Sequence, residues 1–230
     1  MEIKDAVEGY NSENLVYNIY KSEEKVNNKV IYNFIKRTFD IIVSFCAMIL
    51  LLPLFVVIGI LIKLDSKGPV FFLHKRIGKN GRQIKIFKFR TMVQNAEELL
   101  SRFSPEQKRE FEENYKLDND FRITKIGDFL RKTSLDELPQ LLNILKGDMS
   151  IVGPRPLVEK ELEKYGDEKE RFLSVTPGLT GNWACSGRSN IEYPERIKLE
   201  LEYVDNCSLW LDIKIILKTV ISVFKKEGAK

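Results

Sequence analysis

The stretch SLDELPQLLNILKGDMSIVGPRP, Ser134–Pro156, sets two adjacent carboxylates, Asp136 and Glu137, ahead of a Leu-rich segment, and sets Arg155 between two prolines. Two kinds of work suit that pattern. Ser134 and Glu137 match the S-x-x-E capping box of a helix start, where the acids would cap the helix and complement its dipole. Alternatively, one carboxylate is a nucleophile, its neighbour supports it, and Arg155 in a rigid loop grips a phosphate through paired hydrogen bonds. Spacing alone leaves both open. Other basic residues punctuate the same part of the chain: Lys75, Arg76, Lys85, Lys88, Arg90, Arg131 and Arg188. For any one of them a solvated surface is the ordinary explanation. Arg188 stands out because it follows Gly187 in WACSGRSN, a second loop able to present a guanidinium.

His74 is the single histidine, which argues against a His-centred triad or a multi-His metal site. Cys46, Cys185 and Cys207 lie far apart without a C-x-x-C pair, so they suggest neither a disulfide framework nor a zinc site, and a reducing compartment fits best.

The elements that must position these groups follow from 230 residues, 43% hydrophobic and 30% charged, enough for one ordinary domain and an appendage. Residues 1–33 form a polar extension, mobile or loosely helical. From Ile41 to Ile62 the chain has no charged residue. At ~1.5 Å per residue such a run can cross a ~30 Å hydrocarbon core. Pro53 sits at its midpoint, where a proline removes a helix hydrogen bond. Lys36 and Arg37 precede the run and Lys63 and Lys67 follow it, so both ends prefer the same, cytoplasmic side. A re-entrant helix-break-helix hairpin over 34–65, bent at Pro53, meets both preferences better than a span.

The soluble domain, 66–230, reads as a small mixed α/β unit. GPVFFLHKRIG and NGRQIKIFKFRTM form a hairpin turned at Lys79-Asn80-Gly81. Residues 93–117 form a charged helical stretch interrupted near Ser104-Pro105, and 125–132, 137–146 and YPERIKLELEYVDN read as further helices. The tail places Leu209, Ile213, Ile216, Leu217, Val220 and Phe224 at helical spacing among lysines, an amphipathic helix suited to a bilayer interface or to packing on its own domain. KIFKFR interleaves aromatics with basic residues, as nucleic-acid binders do, but a net charge of +4 and a membrane anchor argue against that partner.

The ordered set KRTFDIIVSF…P, GPVFF-HKRIG, FKFRTM, ITKIGDFLRKTSLDELPQLLNILKGDMSIVGPRP, TPGLTGNWACSGRSN and YVDNCSLWLDIKII closely resembles the bacterial sugar transferases, the small monotopic polyprenyl-phosphate phosphoglycosyl transferases. The resemblance covers roughly residues 34–226. It implies an α+β fold: a membrane-embedded re-entrant hairpin followed by a small catalytic domain with interfacial amphipathic helices. It implies transfer of a sugar 1-phosphate from a UDP-sugar to undecaprenyl phosphate, with release of UMP, on the cytoplasmic face of the inner membrane. On that resemblance Asp136 is the nucleophile that forms a covalent phosphosugar intermediate and lies near a Mg2+ ion, and Glu137 supports it. Arg131, Arg155 and Asp212 line the site, and Lys88 and Arg188 contact phosphate or nucleotide. The partners implied are the UDP-sugar, undecaprenyl phosphate and the bilayer, with room for a homo-oligomer and none for nucleic acid. TGNWACSGR resembles the form of exopolysaccharide- and capsule-priming members, which favours a hexose-1-phosphate donor. Two positions depart from the usual pattern: Leu52 precedes Pro53 where relatives often have Ser, and Glu200 stands where many have Asp. A catalytically silent scaffold of a glycan assembly complex is the competing function.

Overall fold

A computed structural model describes the backbone of residues 12–114, 117, 120–187 and 191–225. It divides into two compact units, Met1–Phe39 and Asp40–Lys230. Helix α1, Ser12–Asp65, carries the whole apolar run. The second unit continues through β1 (Phe71–Ile77), β2 (Gln83–Phe89), α2 (Pro105–Asn114), α3 (Lys125–Lys132), α4 (Leu141–Lys146) and β3 (Ser150–Val152). It ends with α5 (Glu159–Leu162), α6 (Lys169–Leu173), β4 (Gly178–Thr180), α7 (Tyr193–Asn206) and α8 (Leu209–Phe224).

β1 and β2 pair antiparallel from Phe71↔Phe89 to Ile77↔Gln83, the hairpin expected from the sequence. Asn80 and Gly81 in its turn both have positive φ, 55° and 77°, which is why Asn-Gly marks such turns. A second small sheet pairs β3 parallel to β4, Ser150 against Gly178 and Val152 against Thr180. It brings two loops together in the second unit, Gly153–Pro156 after β3 and Gly181–Gly187 after β4.

Within the second unit, α1 lays one stripe on the core. Ala47, Met48 and Leu51 pack against Ile84 and Ile86 of β2 and Leu141 and Ile144 of α4. Further along, Leu54, Phe55, Ile58 and Ile62 pack against Phe89 and Leu130. The spacing of three and four residues is that of one helix face. Asp40 belongs to the same stripe, and its carboxylate accepts the main-chain N–H of Ile151 at 2.9 Å. The opposite face is bare: Ile42, Phe45, Ile49, Leu50, Val56 and Leu64 are all exposed. Only 11% of the most apolar window of Lys29–Asp65, mean hydropathy 3.1, is buried, far less than in the core helix of a water-soluble protein. α1 is therefore a helix long and apolar enough to be embedded in a membrane. It remains helical through Pro53, and residues on both sides of the proline pack on the same body. No interruption marks the expected bend.

The stretch 93–117 resolves into a 3₁₀ turn, Glu98–Arg102, and α2. A reciprocal capping box starts α2: Gln107 N–H donates to Ser104 Oγ, and Ser104 N–H donates to Gln107 Oε1. At the C-terminus, α8 turns Leu209, Trp210, Ile213, Leu217, Val220 and Ile221 outward and buries Asp212, Ile215 and Ser222. Of the apolar stripe read from the sequence, Leu209, Ile213, Leu217 and Val220 are presented to the surroundings, while Ile216 is half-buried against the cluster of Val152, Tyr203 and Ile215.

Candidate active site

Asp136 and Glu137 do not cap an α-helix. They lie in a 3₁₀ turn, Leu135–Gln140, preceded by Ser134 at φ 57°, ψ 16°, with no side-chain cap bond from Ser134. A non-glycine residue in the left-handed region is uncommon and costs of order 1 kcal/mol. It turns the chain so that the two acids point back into the domain. The local box is outbid by tertiary partners. Lys88 Nζ from β2 lies 2.6 Å from Glu137 Oε1 and 3.8 Å from Asp136 Oδ2, and Arg155 Nη1 lies 3.5 Å from Glu137 Oε1.

Asp136 is buried at 8% exposure. Burial pushes its carboxyl above the ordinary range, Lys88 opposes this, Glu137 adds to it, and Arg131 and Arg155 oppose it again. Arg131 closes α3, with Nε donating to Thr91 Oγ1 at 3.0 Å. Burial lowers its pKa and the charge of Asp136 acts against that. For Arg155 burial also opposes the charge, but Glu137, Glu161, Asp136 and Glu200 outweigh it and hold the guanidinium firmly protonated.

Among the sequence-derived candidates, the structure therefore gathers Lys88, Arg131, Asp136, Glu137 and Arg155. It holds Asp212 in a different setting: buried at the start of α8, it accepts a 2.7 Å hydrogen bond from Tyr203 Oη, which also donates to Val152 O. Arg188 lies outside the described residues. Pro53 is inside α1.

Several residues at the site were not among the sequence's site candidates. His74 and Arg76, two residues apart on β1, enter beside Lys88. Arg76 Nη1 donates to Glu161 Oε2 at 3.0 Å, and its Nη2 sits 3.4 Å from His74 Nδ1. Burial and the charges of Arg76, Lys88 and Arg155 lower His74 to about 4, so it is neutral near pH 7. Behind them Arg196 approaches Glu161 at 3.8 Å and lies over Trp183 and Tyr193 at 4.4 and 4.9 Å. Glu200 is 1% exposed. Arg196 and Glu200 stand one helical turn apart in YPERIKLELEYVDN, the one local hint that this helix buries charge.

Among the described residues no three His, Cys, Asp or Glu converge as a metal cage. The hard-oxygen donors at the site are Asp136 and Glu137. Mg2+ typically takes one or two carboxylates and completes its octahedron with water and substrate phosphates, so the pair fits that ion. A buried carboxylate held above its ordinary pKa is also one that gains from an added cation.

This chain belongs to the bacterial sugar transferase family, whose sequence profile matches residues 31–226. It is 46% identical, over 84% of its length and 87% of the relative's, to the exopolysaccharide production protein ExoY of Rhizobium meliloti. It is also 46% identical, over 85% of its length, to the undecaprenyl-phosphate galactose phosphotransferase of Salmonella typhimurium and to the UDP-galactose-lipid carrier transferase of Erwinia amylovora. The chain spans 42% of the length of each of those two.

Proposed function

We propose that this protein transfers a sugar 1-phosphate from a UDP-sugar to undecaprenyl phosphate, the first membrane step of a surface glycan. The observation that carries the proposal is Asp136, a buried carboxylate in a strained turn, ringed by Lys88, Arg131 and Arg155. An anion can attack a phosphodiester only where the charge of the phosphate is neutralised, and three cations around one carboxylate supply that. Asp136 Oδ bonds to the sugar-bearing phosphorus while the bond from that phosphorus to the bridging oxygen breaks, and UMP leaves with the bonding pair. An oxygen of undecaprenyl phosphate then bonds to the same phosphorus, the aspartyl–phosphorus bond breaks, and the Asp136 carboxylate is restored. Lys88 and Arg155 hold Glu137 beside Asp136 and offer their remaining donors to phosphate oxygens. Mg2+, held at Asp136 beside Glu137, would neutralise charge on the phosphoryl oxygens.

The group transferred is a hexose 1-phosphate, favoured by TGNWACSGR and by the galactose in the names of two relatives. The catalytic body faces the cytoplasm at the inner membrane, with α1 as a re-entrant element. The basic residues at both ends of the run support return to one side. The acceptor lipid cannot leave the bilayer, which is why the site needs such an anchor.

The test is UMP release by detergent-purified protein given Mg2+, undecaprenyl phosphate and UDP-sugars one at a time, beside Asp136→Asn. Release that requires the lipid and is lost in Asp136→Asn supports the proposal. Folded protein that releases none across a broad panel refutes it and leaves the scaffold.

A further inference from the structure

Glu200 is the most deeply buried acid among the described residues, at 1% exposure, and the reaction above does not use it. It lies on the face of α7 that also buries Arg196, Leu201, Tyr203 and Val204. Its carboxylate oxygens are 3.2 and 3.3 Å from the main-chain nitrogen of Arg155. Arg155 stands between Pro154 and Pro156, neither of which has an N–H. The Arg155 N–H is therefore the one main-chain donor of the Pro-Arg-Pro triplet, and a buried donor left without an acceptor is costly. Where the acceptor sits decides where the triplet sits.

The other edge of this loop is already fixed. Gly153 N–H donates to Thr180 O at 2.8 Å, and Gly178 N–H donates to Pro154 O at 2.9 Å. The approach is close enough that a Cβ on Gly178 would meet Gly153 N at 2.1 Å. β4 thus pins Gly153 and Pro154 from one side, and Glu200 supplies the pin for the next residue. At its far end Arg155 meets Glu137 at 3.5 Å.

We propose that Glu200 is a positioning residue for sugar-phosphate transfer: by accepting the Arg155 main-chain N–H, it sets where the Arg155 guanidinium meets Glu137 and the substrate phosphate. The inference rests on the function proposed above. Burial pushes Glu200 up to about 7, against Arg196, the Arg155 N–H and the Arg155 guanidinium. Tyr165, which also faces it, is itself pushed up by burial and by the charge of Glu200. Protonated or not, Glu200 keeps an oxygen for the Arg155 N–H, so the bond survives titration. The requirement is for an acceptor of this length and not for a charge.

The test sets Glu200→Met, which keeps length but has no strong acceptor, beside Glu200→Gln, which keeps an acceptor without charge. Both are made in full-length protein in detergent, alone and with Arg155→Ala. Two readouts are taken: UMP release, and hydrogen exchange of peptides covering residues 153–157. Glu200→Met is expected to lose tenfold or more in turnover and to expose the Arg155 amide to exchange, while Glu200→Gln stays within about threefold of wild type and keeps its protection. In the Arg155→Ala background, Glu200→Met is expected to cost no further turnover, because its effect passes through that guanidinium. Equal fractional losses in both backgrounds would overturn the proposal as a general folding defect. So would unchanged exchange in Glu200→Met, or a Glu200→Gln variant that is folded but unprotected, which decides the matter alone if Glu200→Met does not fold. Wild-type protein without UMP release would sink the transferase function, and the exchange readout would still judge the Glu200–Arg155 bond.

Discussion

Lys88 is the cation that touches both acids, at 2.6 Å from Glu137 and 3.8 Å from Asp136. Lys88→Met keeps the length of the side chain and removes its charge. It is expected to lower UMP release by about 10²-fold, the scale on which single electrostatic contacts act in transfer reactions. An unchanged rate would remove Lys88 from the site. Glu200 makes a separate prediction about stability. Its folded pKa is about 7 against an ordinary 4.5, so the folded state holds this proton more tightly, and the stability it contributes is full below 4.5 and lost as pH rises through 7. Glu200→Gln resembles the protonated form at every pH. It is expected to match wild type in thermal stability near pH 4 and to exceed it by about 3 kcal/mol near pH 8. His74, lowered from 6.5 to about 4, acts in the opposite sense: its contribution is full above 6.5 and lost as pH falls through 4. It is common to both proteins and cancels in the comparison. A Gln variant no more stable than wild type at pH 8 would contradict the burial of an ionised Glu200. At this scale the sequence nominated Asp136, Glu137, Lys88, Arg131 and Arg155, through motifs and resemblance, and the structure brings these five together. The sequence named His74, Arg76 and Glu200 without placing them at the site and did not point to Glu161, because what matters about them is a partner distant in the chain. The capping box offered at Ser134 does not form, for the same reason: Ser134 makes no side-chain cap bond, and the Glu137 carboxylate meets Lys88 on another element.

Element by element, periodicity was a good guide. The hairpin, α3, α7 and α8 stand where hydrophobic spacing and turn residues put them. Two things were not legible. One is the direction of α8, which turns Ile213, Leu217 and Val220 away from the domain and packs Leu211, Ile215 and Ile216 on Val152 and Tyr203, with Asp212 and Ser222 buried on the same side. A stripe identifies an amphipathic helix but not which side meets the protein. The other is the packing of α1 on β2, α3 and α4, since a run apolar all round conceals which stripe is buried. Asp40 marks that stripe, and its bond to Ile151 ties α1 to β3, the strand that leads into Gly153–Pro156. Asp40→Ala would leave the Ile151 N–H without that acceptor. A loss of about 1–3 kcal/mol in stability is expected, with faster amide exchange at residues 150–153. Asp40→Asn, which keeps an acceptor, is expected to lose less. Equal behaviour of the two would show that the bond does not hold β3.

For the molecule as a whole, the exposed apolar residues of α1, Phe71, Phe72 and Leu73 of β1, and the outer face of α8 far exceed what water tolerates on a folded protein. They are the surfaces a bilayer would cover. Leu217 is 61% exposed, so Leu217→Glu is expected to leave thermal stability unchanged while weakening binding to phospholipid vesicles tenfold or more, as befits a side chain whose burial is worth about 1.5–3 kcal/mol. Vesicle binding unaffected by this change would remove α8 from the interface. Cysteines introduced at Asn28 and Ser66 test the re-entrant arrangement, with labelling from the cytoplasmic side at both as the expected outcome. Labelling from opposite faces would make α1 a span. The central claim is the nucleophile, and intact-mass measurement tests it most directly. Wild-type protein is incubated with Mg2+ and its UDP-sugar, without undecaprenyl phosphate. The account predicts a mass gain of one sugar phosphate, mapped to Asp136, absent from Asp136→Asn and discharged when the lipid is added. An adduct that persists in Asp136→Asn, or turnover-competent protein that never carries one, would contradict it.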